Sequence, residues 1–251
     1  MLAIERNLPD MPARPRLRRS VHNKLIAGLA AKDFDRLSPH LQLVALPQHE
    51  RLLKPDARTE YVYFPESGMV SLILSLEGGD VVEVGLVGNE GIVGVLAGLG
   101  TSRIAAEAIV QMPGSALRME TNRLREEMGV NPSIRQMTLR YVQALFAQVT
   151  QTAACNARHE LSQRLARWLL MANDCTRSNE VNLTHDFLSM MLSVRRPGVT
   201  TALKTLKDAG MIGTGHGRIH ILNRGRLEAT ACECYRVVKA EYGRLLSRGR
   251  R

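Results

Sequence analysis

The stretch "LSVRRPGVTTALKTLKDAGMI", residues 192–212, places two arginines, a proline and a glycine immediately before a helix-like apolar pattern. Proline is tolerated in the first turn of a helix, because its missing N–H donor would have had no partner there. We therefore predict a helix that begins at Arg195 or Arg196 and holds Pro197 in its first turn. The residues predicted to form its buried face follow the helical period: Val199, Ala202, Leu203 and Leu206.

A shorter helix is predicted directly upstream. Thr184 is a good N-cap, and Asp186 lies near the positive end of the helix dipole. The turn between the two helices falls near Ser193 and Val194, where Val194 supplies an apolar side chain to pack inside the angle. Two short helices joined by three or four residues are typical of a helix-turn-helix.

The outward face of the second helix is polar and contains Arg196, Thr200, Thr201 and Lys204. In helix-turn-helix proteins the first residues of the second helix reach base edges in the major groove of DNA. Arginine can bind guanine through two hydrogen bonds, and threonine and lysine can reach bases or phosphates. Gly198 has no side chain, so the opening turn of this helix could approach another surface closely.

A hairpin is predicted after the second helix, with strands at Met211–Ile212 and Ile219–Leu222. Its tip carries His216 and Arg218, which fits a wing lying beside the same duplex. The complete set of predicted DNA contacts is Thr184, Arg195, Arg196, Gly198, Thr200, Thr201, Lys204, His216 and Arg218.

The charge distribution indicates a polyanionic partner. The formal net charge is +10, and residues 157–251 carry 17 basic and 8 acidic side chains. Residues 21–156 carry 12 basic and 14 acidic side chains, and residues 1–20 carry 5 and 2. A localised basic excess is typical of nucleic-acid-binding domains. We expect a flexible basic tail over 1–20 and a winged helix-turn-helix that binds double-stranded DNA over 157–251.

The N-terminal half has a different pattern. Residues 21–37 follow a helical period that ends at Pro39. From about 41 to 119, short runs rich in Val, Ile, Leu and Tyr, including "EGIVGVLAGLG" at 90–100, alternate with glycine- and proline-rich turns. Gly78–Gly79 is expected to form a hairpin turn. This half is therefore predicted to be a β-sandwich or jelly-roll barrel.

A long helix is predicted over residues 131–156. Asn131 is its N-cap and Pro132 its first residue, and no glycine or further proline follows within it. Its apolar stripe is narrow, so the helix either packs on its own domain or pairs with a second copy of itself. We expect pairing, through Leu139, Val142, Leu145, Phe146 and Val149. Further helices are predicted over 159–172 and about 225–246.

In this order of parts the chain resembles the Crp/Fnr superfamily of bacterial-type transcription regulators, the family of the cyclic-AMP receptor protein. The likeness extends over residues 21–246. It rests on "YFPESGMVSLILSLEGGDVVEVGLVGNEGIVG" at 63–94 and, more specifically, on "LTHDFLSMMLSVRRPGVTTALKTLKDAGMI" at 183–212.

The resemblance implies an α+β fold with a cyclic-nucleotide-binding-like sensor β-barrel over 21–130 and a dimerisation helix over 131–156. It also implies a cytoplasmic homodimer whose C-terminal winged helix docks on a palindromic operator. RNA polymerase and a small-molecule effector are the further partners that it implies. The alternative is a small-molecule sensor whose basic domain binds RNA or a protein.

The sensor region departs from relatives that bind cyclic nucleotides. Those relatives carry Gly-Glu followed about ten residues later by Arg-Ser or Arg-Thr, whose arginine pairs with the cyclic phosphate. Here Val95 follows Gly94, and Ile104 follows Arg103, so we expect no cyclic nucleotide to bind. No cysteine precedes Cys155, which excludes the N-terminal iron–sulfur cluster of oxygen-sensing relatives. Isolated histidines do not indicate haem, and no cofactor is expected.

The recognition helix departs from the family as well. Relatives often have Arg-Glu followed by a second arginine four residues after the glutamate. The matching positions here are Arg196, Pro197 and Thr201, so a glutamate–cytosine contact is impossible and a different operator is expected.

Catalytic and metal motifs are incomplete, and we expect no enzyme activity. "HELSQ" at 159–163 has Gln163 where a zinc protease needs its second histidine, and "GNEGIVG" at 88–94 lacks the Gly-Lys-Ser/Thr of a P-loop. Cys232 and Cys234, two apart on an expected helix, would face different directions. With Cys155 and Cys175 they show neither CxxC nor even spacing, which favours reduced, partly buried thiols over a redox or metal sensor. Neither a secretory leader nor a membrane span is recognisable.

Overall fold

A computed structural model describes residues 20–176, 180–215 and 217–246. The predicted basic tail lies outside these ranges except for Ser20, and so does His216. Among the described residues, no helix combines the length and the apolar character needed to cross a bilayer.

The predicted helix over 21–37 is two short helices, α1 (Lys24–Gly28) and α2 (Ala31–Leu37). Leu29 between them has extended backbone angles, and a single turn of 3-10 helix at Ser38–His40 follows α2. The break turns both helices so that Ile26 and Phe34 enter the same apolar core. The prediction of one helix was therefore wrong, because burial in a shared core overrides the local period.

The N-terminal half forms one five-stranded antiparallel sheet in the order β1-β5-β3-β4, with β2 also paired to β5. Its strands are β1 (Gln42–Leu46), β2 (Arg51–Leu53), β3 (Tyr61–Ser75), β4 (Val81–Val87) and β5 (Glu107–Glu120). The predicted hairpin at Gly78–Gly79 joins β3 to β4, and Gly79 has the positive φ of 86° that such a turn requires.

Two helices accompany the sheet, α3 (Val95–Leu99) and α4 (Thr121–Val130). The run at 90–100, predicted as a strand, instead contains α3. This helix starts directly after Gly94, and Gly94 has a φ of 83°. The long helix α5 (Pro132–Arg158) begins where predicted, and the Asn131 side chain accepts hydrogen bonds from two backbone amides of its first turn. It packs along β4 and α4.

The C-terminal part contains α6 (Leu161–Thr176), α7 (His185–Met191) and α8 (Arg196–Asp208), with a three-stranded sheet beside them. That sheet has the order β6-β8-β7, from β6 (Glu180–Asn182), β7 (Ile212–Gly215) and β8 (Arg218–Ile221). One apolar core holds these elements together, with Trp168, Leu203 and Ile219 among its members.

The last predicted helix, about 225–246, is also two helices, α9 (Arg224–Thr230) and α10 (Cys234–Leu246). Residues 231–233 separate them, so Cys232 lies in a loop and Cys234 begins α10. The prediction that both cysteines share a helix was therefore wrong. α10 packs back along α5, which returns the end of the chain to the long helix.

Candidate nucleic-acid interface

The helix-turn-helix begins as the sequence predicts. The Thr184 hydroxyl accepts a hydrogen bond from the Phe187 amide at 3.1 Å and caps α7. Ser193 takes a φ of 49° in the turn, and Val194 packs against the core. Arg195 is the N-cap residue of α8, and Pro197 stands in the first turn.

The two faces of α8 are sharply different. Val199, Ala202, Leu203 and Leu206 are buried, as predicted, and hold the helix against α6 and α7. The opposite face is exposed along the first three turns, at Arg195, Arg196, Thr200, Thr201 and Lys204. We call these five residues the polar face of α8. Nothing in the described parts of the chain covers it.

The hydrogen bonds and ion pairs of the polar face determine which of its side-chain groups can bind another molecule. Arg196 Nε lies 3.3 Å from Asp186 Oδ1, and both side chains are well exposed. An exposed pair of this kind is worth about 0–1 kcal/mol, so Arg196 can exchange this partner for another at little cost. The Thr200 and Thr201 hydroxyls donate to the carbonyls of Arg196 and Pro197 at 3.2 and 3.1 Å. Thr200 Oγ1 also lies 3.1 Å from His185 Nδ1, whereas the Thr201 oxygen is left able to accept.

Gly198 lies close to another helix of the same chain. A Cβ atom there would lie 3.2 Å from Leu161 Cδ2, so the space beside this glycine is taken by α6 of the same chain. The structure thus shows a close approach between α8 and α6 at this glycine, and the contact of Gly198 with DNA stays a prediction.

The hairpin β7–β8 follows α8 in the chain, and β7 packs against that helix. Arg218 is exposed at the start of β8, and its Nη1 lies 2.8 Å from Glu180 Oε1. Glu180 belongs to β6, a strand that the sequence pattern did not predict. Arg218 is thus positioned by an ion pair across two strands. His216, the other predicted contact, lies outside the described residues.

One buried carboxyl group links the N-terminal sheet to α6, the helix that packs beside the helix-turn-helix. Glu83 of β4 accepts hydrogen bonds from Trp168 Nε1 at 2.7 Å and from the Ser71 hydroxyl at 2.5 Å. Burial raises the pKa of Glu83 to about 7, although these bonds and the charge of Arg167 oppose the rise. Trp168 in turn packs edge-on against Phe187 of α7, with ring centroids 6.0 Å apart.

The predicted pairing residues of α5 fall on two different faces. Leu145 is 6% exposed and belongs to the core of its own chain, so its assignment to a dimer contact was wrong. Leu139 and Phe146 are 49% and 68% exposed, and Val142 and Val149 are partly buried. These four residues with exposed Ala153 follow the 3-4 spacing of a heptad seam. We call them the α5 seam.

Val95 and Arg103, on which the expectation of no cyclic nucleotide depends, lie at the start of α3 and in the loop that follows it. Val95 is the first residue of α3, is 1% exposed and packs in the core of the N-terminal half. Arg103 forms a backbone bridge with Arg58, outside the named strands.

Sequence reasoning missed one constellation altogether. Cys155, His159, Cys232 and Cys234 meet at the end of α5 and the start of α10, with their ligand atoms all within 4.8 Å of one another. The two pairs are more than seventy residues apart in sequence, so no local spacing could have indicated the cluster.

Comparison with known proteins supports this architecture in both halves. The chain matches the family model of the cyclic nucleotide-binding domain over residues 43–131 and that of the Crp-like helix-turn-helix domain over residues 163–230. No curated protein sequence matches it.

Several solved structures are similar to about three quarters or more of the chain. FixK2 from Bradyrhizobium japonicum has 18% identity and a TM-score of 0.65, covering 76% of this chain and 98% of its own. The c-di-GMP responsive global regulator CLP from Xanthomonas campestris has 16% identity and a TM-score of 0.63, covering 76% and 99%. A transcriptional regulator of the Crp/Fnr family from Eubacterium rectale has 16% identity and a TM-score of 0.62, covering 82% and 96%.

Proposed function

The chain belongs to the Crp/Fnr family of transcription regulators, and we propose that it binds a two-fold symmetric DNA operator as a homodimer. In this proposal α8 enters the major groove of each half-site and the β7–β8 wing lies along the backbone. Binding genomic DNA would place the protein in the cytoplasm, with RNA polymerase as a functional partner. We assign it no enzymatic activity.

The observation that carries the proposal is the polar face of α8. Its residues are exposed at the N-terminal end of a helix whose other face is buried, which is the arrangement that presents side chains to base edges. Arg196 is the best candidate for reading a base, because its ion pair with Asp186 is exposed and its guanidinium matches guanine. No ion pair is found for Lys204 among the described residues, and it is placed to contact phosphate.

The α5 seam supports a homodimer. Phe146 exposes most of its ring in the single chain, and Leu139 exposes about half of its side chain. Large apolar side chains at heptad spacing on a 27-residue helix match the knobs of a two-stranded coiled coil. A two-fold axis along this seam would present two α8 helices to one duplex.

We further propose that the effector is not a cyclic nucleotide, because buried Val95 replaces the carboxylate that such ligands need. A cavity of about 440 Å³ lies instead between β4, α6 and α10. Its lining combines apolar residues with Glu90, Asp174 and Tyr235. A small molecule bound there would touch both halves of the chain, which suits a ligand that shifts one relative to the other.

Selection from randomised DNA duplexes tests the proposal. We expect enrichment of an inverted repeat with half-site centres about one helical turn apart, and binding that weakens steeply with salt. Double-stranded RNA of matched length is the control. Equal binding to RNA, or no enriched sequence, would instead favour a sensor whose basic domain serves another partner.

A further inference from the structure

The four clustered side chains named above are all potential metal ligands. The Sγ atoms of Cys155 and Cys232 are 3.5 Å apart, and Cys234 Sγ lies 3.5 Å from His159 Nδ1. Zn–S bonds of about 2.3 Å and Zn–N bonds of about 2.0 Å in a tetrahedron separate neighbouring ligand atoms by roughly 3.5–3.8 Å. These two separations match those of a mononuclear tetrahedral site, and the other pairs of ligand atoms lie within 4.8 Å of one another.

We propose that Cys155, His159, Cys232 and Cys234 bind a structural Zn²⁺ ion. Three thiolates and one imidazole are a ligand set that zinc accepts in closed structural sites. Such a set of soft ligands does not suit magnesium or calcium, which take oxygen ligands.

Burial distinguishes this cluster from chance proximity. The three cysteines are at most 4% exposed, and together they form a cluster separate from the apolar cores of the chain. The site is nearly closed to solvent, as structural zinc sites are, and the four protein ligands leave no position for substrate.

The surroundings supply what a zinc site needs outside its ligands. With Nδ1 of His159 on the metal, its Nε2 lies 3.3 Å from Glu233 Oε2, in the carboxylate–histidine arrangement that orients zinc-bound imidazoles. Gln151 Nε2 donates to Cys234 Sγ at 3.1 Å, as an N–H group would to a thiolate ligand. Arg167 donates a hydrogen bond to Thr152, three residues before Cys155, at 2.7 Å, and its positive charge acts on Cys155. This charge suits a site whose three thiolates exceed the charge of the metal.

The position of the site in the fold indicates which parts of the chain a bound metal would hold together. Cys155 and His159 lie at the end of α5, and Cys232 and Cys234 flank the start of α10. The helix-turn-helix and its wing occupy the chain between these two pairs. A zinc ion would therefore fasten both ends of the DNA-binding segment to the long helix.

Metal analysis of the full chain, purified under reducing conditions with zinc in the medium, tests this inference. We expect a single equivalent of zinc by mass spectrometry, and thiolate-to-cobalt charge-transfer bands after exchange for Co²⁺. Cys155→Ser should lose the metal, whereas Cys175→Ala, which removes a buried cysteine outside the cluster, should retain it. Metal-free wild-type protein without these bands, or a Cys155–Cys232 disulfide in the protein as purified, would overturn the proposal.

A milder variant guards against loss of folding. Glu233 is well exposed, so Glu233→Gln should fold normally. Loss of an outer partner of this kind typically lowers metal affinity about 10- to 100-fold, which competition with a chelator measures. Unchanged affinity in Glu233→Gln would contradict the proposed coordination through His159 Nδ1.

Discussion

Replacing Glu83 by glutamine should remove a pH dependence from the stability of this protein. Glu83 of β4 is buried against α6, and its pKa rises from an ordinary 4.5 to about 7 on folding. Each pKa unit corresponds to 1.36 kcal/mol, so the rise amounts to about 3 kcal/mol. Glutamine keeps the shape of the side chain and can still accept from Trp168 Nε1 and donate to the Ser71 oxygen.

The sign follows from which state holds the proton. Below pH 4.5 both the folded and the unfolded chain carry a protonated Glu83. As the pH rises towards 7 the unfolded chain releases this proton and the folded chain retains it, so the free energy of unfolding falls. This loss of stability should be complete slightly above pH 7 and should total about 3 kcal/mol. The groups that face Glu83 are the charge of Arg167 and the hydrogen-bond donors of Ser71 and Trp168, and the pKa of about 7 already includes their effect.

Urea unfolding between pH 4.5 and pH 8 measures this difference. Trp168 is the sole tryptophan in the sequence, so its fluorescence reports on the contact itself. Glu83→Gln should be more stable than the wild type at pH 8 and close to it at pH 4.5. Glu77→Gln, at an exposed carboxylate in the neighbouring hairpin, should follow the wild type. Parallel stability curves for the wild type and Glu83→Gln would refute the reasoning.

Three further predictions concern assembly and recognition. Phe146→Asp places two carboxylates on the α5 seam and should weaken the dimer by about 3–6 kcal/mol in light scattering or ultracentrifugation, whereas Val130→Asp, at a similarly exposed valine, should leave it dimeric. Arg196→Ala should weaken binding to the selected operator by about 1–3 kcal/mol and relax the sequence preference at one base pair per half-site. Lys204→Ala should weaken binding to all duplexes alike and lower the salt dependence of binding by about one unit of slope. Identical sequence preferences for the two variants would contradict base reading by Arg196. Cyclic AMP should neither bind in calorimetry nor change operator affinity, and a micromolar dissociation constant would overturn that expectation.

Local patterns in the sequence by themselves determine the helix-turn-helix. Thr184 marks the start of α7 because its hydroxyl accepts from a backbone amide three residues later. Pro197 marks the start of α8 because its missing N–H would have had no partner there. Val199 and Leu206 face the core because the helical period alone places them on one side. These features depend only on neighbours in the chain, so the sequence contains the whole of their physical cause.

Tertiary packing decided what local patterns could not. Ser71 and Ile73 lie on the opposite face of β3 from Val70, and residues of both faces are buried. The face of Ser71 and Ile73 is covered because the C-terminal part of the chain packs on that side of the sheet. Leu145 and Phe146 were both predicted to pair, yet Leu145 is in the core and Phe146 is in solvent, because α10 and the sheet cover only one flank of α5.

The cysteine cluster is the clearest case of a feature set by tertiary structure. By itself the sequence shows cysteines with unrelated spacing, and it determines no more than that they can ligate or oxidise. Cys155 and Cys232 meet because α10 folds back along α5 after the helix-turn-helix is complete. Contacts between residues so far apart depend on the packing of every element between them, and for that reason only the folded chain could bring four ligands to one point.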